Sequence, residues 1–116
     1  MKLTMLMIPV SGFDAARRFY RDALGLPETF SASETAFYRL GEISVGVHLE
    51  PGQVRTPPGG IRLVFEVDDV DQARQELQER GVTFIEEPFD QPLGKLARFV
   101  DPSGNVLQLM DKSKAR

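Results

Sequence analysis

The 116-residue chain has no cysteine, no tryptophan and a single histidine, His48. Without cysteine there is no disulfide, no thiolate metal centre and no thiol nucleophile, a composition that suits a reducing compartment such as the cytoplasm. One histidine cannot supply the two-histidine, one-carboxylate triad that holds non-haem iron. Long hydrophobic runs are missing too: apolar stretches such as Met5–Val10 are strand-sized and too short to cross a bilayer as a helix. A charged start, a long apolar run and a small-residue cleavage site are lacking, so no secretory signal is expected. A surplus of positive charge is also absent. The formal net charge is −3, with Lys and Arg interspersed, which argues against nucleic acid as a partner. Neither a Gly-x-Ser-x-Gly elbow nor a phosphate-binding glycine loop occurs, and Gly59-Gly60 reads as turn chemistry. What remains is a soluble chain of ordinary composition, 41% hydrophobic and 27% charged, long enough for one domain.

That domain is written twice. Val10-Ser11-Gly12-Phe13-Asp14-Ala15-Ala16-Arg17 lies over Val67-Asp68-Asp69-Val70-Asp71-Gln72-Ala73-Arg74 without a gap. Each copy opens with an apolar stretch, Lys2–Val10 or Ile61–Val67. A helix N-cap candidate follows, Ser11 or Asp68, with an acid three residues on. Helical spacing then places Phe13, Ala16, Tyr20, Ala23 and Leu24 on one face, and Val70, Ala73 and Leu77 on another. Gly25 and Gly81 stand where helices end. Strands are expected at Glu28–Ser33, Thr35–Leu40 and Ile43–Glu50, then at Val82–Glu87, Lys95–Val100 and Asn105–Met110. The closing hairpins superpose in sequence without a gap, Phe37–Pro51 over Ala97–Asp111. The expectation is an α+β chain of two tandem βαβββ modules, residues 1–50 and 61–110. A proline- and glycine-rich linker, 51–60, joins them, and 111–116 reads as a frayed polar tail.

Alternation orients the strands. Ile61, Leu63, Phe65 and Val67 form a helix-facing set, leaving Arg62, Val64 and Glu66 on the other face. Val45, Val47 and Leu49 pack, leaving Gly46, His48 and Glu50; Leu107 and Leu109 pack, leaving Val106, Gln108 and Met110. The first strand is apolar on both sides, and the repeat orients it by pairing Met5 with Arg62 and Met7 with Val64. The same repeat pairs His48 with Gln108. Curved sheets with such faces enclose a cleft suited to a small ligand.

Three motifs carry a resemblance over nearly the whole chain. They are the helix Phe13-Asp14-Ala15-Ala16-Arg17-Arg18-Phe19-Tyr20 ending Leu24-Gly25, the strand end Phe65-Glu66-Val67-Asp68-Asp69-Val70, and the closing Phe99-Val100-Asp101-Pro102-Ser103-Gly104-Asn105. In this order around a repeated βαβββ, they resemble the vicinal-oxygen-chelate superfamily, the glyoxalase, bleomycin-resistance and extradiol-dioxygenase group. The resemblance implies a glyoxalase-like fold with curved mixed sheets around a cleft, often in a homodimer. It also implies a divalent metal held by four strands through His, Glu and sometimes Gln. This sequence offers Met5, His48, Arg62 and Gln108 at those places. Met5 is a soft ligand, and Arg62 keeps its charge and repels a cation.

The reading is therefore of a metal-free small-molecule-binding protein, similar to bleomycin-resistance-type members and without a cofactor. Its expected ligand contacts are Met5, Met7, His48, Glu50, Arg62, Val64, Glu66 and Gln108. Methionines adapt to varied shapes, and Arg62 suits an acidic or carbonyl group. Arg62 is equally suited to pair with Glu66 or Glu50. The alternative is a glyoxalase-like lyase or isomerase that uses a displaced divalent metal near His48, Glu50 and Glu66, or His48 as a general base.

Overall fold

A computed structural model describes residues 1–50 and 62–114. Ile61 and the linker expected at 51–60 lie outside the described residues. The chain divides into two units, residues 1–55 and 56–116.

In the first unit, strand β1 (Met5–Val10) leads into helix α1 (Phe13–Arg17), which continues as a π-helical stretch, Arg18–Ala23. Three strands follow: β2 (Glu28–Ser31), β3 (Thr35–Leu40) and β4 (Ile43–Leu49). They form one sheet in the order β1-β4-β3-β2, with β1 parallel to β4 and the other pairs antiparallel. The π-helical stretch alters the expected helix face. Leu24 N donates to Phe19 O at 2.9 Å, five residues back, so each turn carries an extra residue. Adjacent Phe19 and Tyr20 then both face inward and are buried, where a 3.6-residue period expected Tyr20 alone. The two rings meet edge-on at 4.9 Å, and Tyr20 lies 6.1 Å from Tyr38. Arg17 clamps edge strand β2 through paired bonds to Glu28 at 2.8 and 2.9 Å, and Tyr38 donates to the same carboxylate at 3.4 Å. Burial first, then the Glu28 charge, pushes the Tyr38 phenol up to about 12.

The second unit runs β5 (Leu63–Glu66), α2 (Val70–Glu79), β6 (Thr83–Phe84), β7 (Phe89–Gln91), β8 (Gly94–Val100) and β9 (Val106–Met110). Its sheet order is β5-β9-β8-β6, with β7 also pairing β8. The strand expected over Val82–Glu87 stops at Phe84, and the chain re-enters the sheet after Pro88, a residue with no N–H to give a ladder. Val70, Val82, Ala97, Phe99, Leu107 and Leu109 are buried beneath α2 and in the sheet core.

The helix caps fall one residue later than expected, at Gly12 and Asp69 in place of Ser11 and Asp68. The reason in the second unit is geometric: Asp69 accepts from Gln72 N at 3.0 Å, the third amide of the helix. Nor is the tail from Asp111 frayed. The Asp111 side chain is buried and accepts from Val70 N (3.0 Å), Lys95 N (2.9 Å) and Ser113 Oγ (2.7 Å), tying α2, β8 and the chain end together. Lys114 N bonds Leu93 O at 2.8 Å; residues 115–116 lie outside the described residues.

The hairpin superposition is corrected as well. Tyr38 pairs with Val45, whereas Phe99 pairs with Leu107, so the second hairpin carries one more residue between its core partners. That residue sits in the Asp101–Asn105 turn. There the Asp101 carboxylate accepts from Ser103 N and Asn105 N at 2.9 and 2.8 Å, and Gly104 adopts φ 92. In the parallel pairs Met7 lies opposite Gly46, and Val64 opposite Gln108. The counterpart of Gln108 is therefore Gly46, and the counterpart of His48 is Met110. The gapless alignment was two residues out on this strand. A slip of two keeps every side chain on its own face, so alternation could not reveal it.

Candidate functional site

On the face of the first sheet away from α1, one register row runs across all its strands: Met7, Gly46, Phe37 and Phe30. Gly46 has no side chain, and its neighbours close over it. A Cβ built there would lie 2.5 Å from Met7 Sδ and 2.8 Å from a Phe37 ring carbon. Phe37 in turn stacks on Phe30, with centroids 5.4 Å apart and planes at 29°. Sulfur and two rings thus form a continuous apolar strip. It is not fully covered, since Met7 is 49% and Phe30 50% exposed. Met5 stands on the same face, 36% exposed. The next row holds Pro9, His48 and Thr35, and Thr35 Oγ1 lies 2.6 Å from His48 Nδ1. That bond fixes the imidazole beside the apolar strip and leaves Nε2 as its other polar atom. Glu50 lies beyond the end of β4 and is exposed.

The corresponding row of the second sheet sets two polar residues beside one apolar one: Val64, Gln108 and Arg98. Arg98 donates from Nε to Glu86, and its guanidinium sits 5.6 Å from the Phe89 ring centroid. The Glu86 carboxyl is held below the usual range, first by the bond from Arg98 and also by the Arg62 charge. Glu66, one of the two acids suited to pair with Arg62, pairs with Lys112 at 3.1 Å. Among the described residues, the Arg62 Nε is buried without a hydrogen-bond partner. Glu66 instead lines an open depression of about 400 Å³ at the start of α2, with Asp68, Asp69, Gln72 and Glu76.

The expected contacts therefore fall into two groups. Met5, Met7 and His48 share the first sheet's face, and Val64 and Gln108 share the second's, with Arg62 preceding β5. Sequence reasoning missed Phe37, Phe30, Arg98 and Glu86. Phe37 was detectable: Thr35, Phe37 and Arg39 alternate with Ala36 and Tyr38, which are buried. Arg98 was detectable by the same alternation in Ala97, Arg98 and Phe99, but Glu86 lies outside any strand and left no periodic trace.

A divalent metal is a poor match for these donors. Met5 offers a thioether and Arg62 a permanent cation, and the place equivalent to Gln108 is a glycine roofed by sulfur and an aromatic ring. Among the described residues no three His, Asp or Glu side chains gather in a set that could hold an ion. Protein purified without chelator should accordingly carry well under one equivalent of Zn, Ni, Mn or Fe by plasma emission. Added metal should leave its melting temperature unchanged. A stoichiometric, chelator-removable ion would overturn this reading of the donors.

Among the described residues no helix is long and apolar enough to cross a membrane. Comparison with known proteins then places the chain. It is 27% identical over 94% of its length to the uncharacterized protein YraH of Bacillus subtilis (strain 168), covering 97% of that protein. Among solved structures it resembles TnmS3, an antibiotic binding protein from Streptomyces sp. CB03234. That similarity reaches 30% identity and a TM-score of 0.73, covering 97% of each chain. Its fold is also that of a lactoylglutathione lyase from Agrobacterium tumefaciens, with a TM-score of 0.74, 20% identity, and 98% of this chain and 95% of that one covered. The family model for the glyoxalase, bleomycin resistance protein and dioxygenase group matches residues 2–109. With that match over its repeated strand-helix-strand units, the chain belongs to the Glyoxalase/Bleomycin resistance protein/Dioxygenase superfamily.

Proposed function

We propose that this chain is a metal-free binding protein for a small, partly aromatic or amphiphilic molecule, acting in the cytoplasm as a homodimer. The observation that carries the reading is the apolar row Met7–Gly46–Phe37–Phe30. A planar ligand gains from stacking on exposed rings, and a thioether adapts to its outline. Its similarity to an antibiotic binding protein at 30% identity supports a binding role. Met5, Met7 and His48 contact the ligand on this face, His48 as a hydrogen-bonding group; Arg62, Val64 and Gln108 are the second unit's own candidate contacts. Glu50 and Glu66 are peripheral, being exposed and, for Glu66, paired with Lys112.

The test is a calorimetric and thermal-shift screen of planar aromatic compounds against wild type and Phe30→Ala. Phe30 is half exposed, so its removal should barely change stability. It should weaken an aromatic ligand by roughly threefold to tenfold, the worth of one ring contact. Aromatic compounds that bind both proteins equally, or stabilise neither, would defeat the proposal. Assembly is checked separately. Each sheet has edges to cover, and closed two-fold dimers are the common solution. Light scattering at micromolar concentration should give twice the 13.0 kDa chain mass.

A further inference from the structure

Thr35 and His48 stand directly opposite each other on β3 and β4. Leu49 N donates to Glu34 O at 2.9 Å, so the hydrogen-bonded pairs of this ladder flank them and they form a non-bonded pair. Side chains come closest at such positions, and here the Thr35 hydroxyl lies 2.6 Å from His48 Nδ1. The direction of that bond decides what the imidazole offers a ligand. Three features make the hydroxyl the donor. A separation of 2.6 Å is ordinary for an O–H donor and shorter than an N–H donor usually allows. The imidazole nitrogen is a stronger base than the hydroxyl oxygen. Among the described residues the Thr35 hydroxyl makes no other hydrogen bond, so its hydrogen has no competing acceptor there. Nδ1 is then the bare nitrogen, and Nε2 carries the ring hydrogen. Among the described residues Nε2 has no partner, and the buried unpartnered side-chain atoms are Arg62 Nε and Arg74 Nε. The Nε2–H is therefore open to an incoming molecule.

We infer that Thr35 is a positioning residue that fixes His48 as a hydrogen-bond donor, so the apolar strip takes planar aromatic molecules with an acceptor at the ring edge. A carbonyl oxygen or a bare ring nitrogen meets that requirement, and an N–H at the same place does not. The inference rests on the small-molecule reading above and names the polar half of its ligand. His48 follows Gly46 by two residues on the same face of β4, a distance of about 7 Å along the strand. A fused-ring system stacked over Gly46 and Phe37 thus presents its edge, not its face, to Nε2. A ligand N–H at that edge would meet the imidazole N–H and leave both hydrogens without an acceptor. Thr35 exerts this selection through His48 and need not touch the ligand.

His48 is the only histidine, so nitrogen-15 spectra of the imidazole report on it alone. In mildly alkaline solution wild type should show a bare Nδ1 and a protonated Nε2. Thr35→Val keeps the branched shape and removes the hydroxyl, so the fold should hold while the spectrum moves toward a mixture of tautomers. Thr35→Ser should restore the wild-type spectrum. The binding probes are isoquinoline, which has a bare ring nitrogen, and indole, which has an N–H; both are titrated by calorimetry and followed in the same spectra. Wild type should favour isoquinoline by roughly fivefold to tenfold, with a shift at Nε2. Thr35→Val should cut that preference to about twofold or less, chiefly by weakening isoquinoline, and Thr35→Ser should recover it. If wild type binds the two compounds equally, or Thr35→Val keeps the full preference, the role of Thr35 is wrong while the binding reading stands. A protonated Nδ1 with a bare Nε2 in wild type would overturn it as well. If neither compound binds wild type, both readings fail.

Discussion

Asp111→Ala should destabilise the chain by on the order of 4 kcal/mol in a denaturant titration, with loss of the second unit's cooperative transition. The size follows from what the carboxylate holds. Two backbone amides, Val70 N and Lys95 N, and the Ser113 hydroxyl all donate to it from positions far apart in sequence. Removing the acceptor strands buried donors at the first turn of α2 and at the start of β8, with no side chain to replace it. Asp111→Asn keeps one acceptor oxygen and should cost about half as much. Gly94→Ala should rival the alanine variant by a different route. Its Cβ would run into the Asp111 carboxylate and backbone, with the carbonyl carbon at 2.9 Å, and a paired backbone cannot step aside. Acid gives an independent check. The same hydrogen bonds, from Lys95 N, Val70 N and Ser113, hold the Asp111 carboxyl well below its usual range. A folded-state pKa lowered in this way contributes stability that is complete above the ordinary carboxylate range. It is lost as pH falls below about 4 towards the depressed value. Wild type should lose stability across that window, and Asp111→Asn should lose less. Equal acid sensitivity in the two proteins would contradict this assignment.

Gly46→Val should abolish aromatic ligand binding, by at least tenfold, while the protein still folds with a loss of about 1–3 kcal/mol. The new side chain enters space already taken by Met7 Sδ and the Phe37 ring, and it must push them apart. Both obstacles are side chains on the sheet face away from α1, so they can yield where a backbone could not. The strip they form with Phe30 is broken in its middle. Met7→Ala and Phe37→Ala should each weaken the ligand without that steric insult, which separates lost contact from distortion. If Gly46→Val binds as wild type does, the ligand does not lie on this row.

Much of this architecture could be read before any coordinates. The βαβββ order, the buried set Val45, Val47, Leu107 and Leu109, and the outward placement of Met5 and Met7 follow from period and repeat. The hairpin correspondence could not be read in this way. The gapless alignment is one residue out on β8, the extra residue in the turn makes it two on β9, and a slip of two preserves apolar alternation there. The tail was misread because Asp111 looks like any polar residue after a strand until its distant donors are known. The Arg98–Glu86 pair was missed because it joins β8 to a segment beyond β6 that lies outside any strand.

The sequence by itself determined the class of fold and the faces of its strands, because side-chain chemistry and periodicity are local properties. Register, and with it the identity of the residues standing side by side, was decided only in the tertiary structure. Pairing between strands depends on turn lengths and on contacts between residues far apart along the chain. Those contacts made Gly46 the centre of an aromatic strip and gave Glu86 the Arg98 guanidinium as its partner.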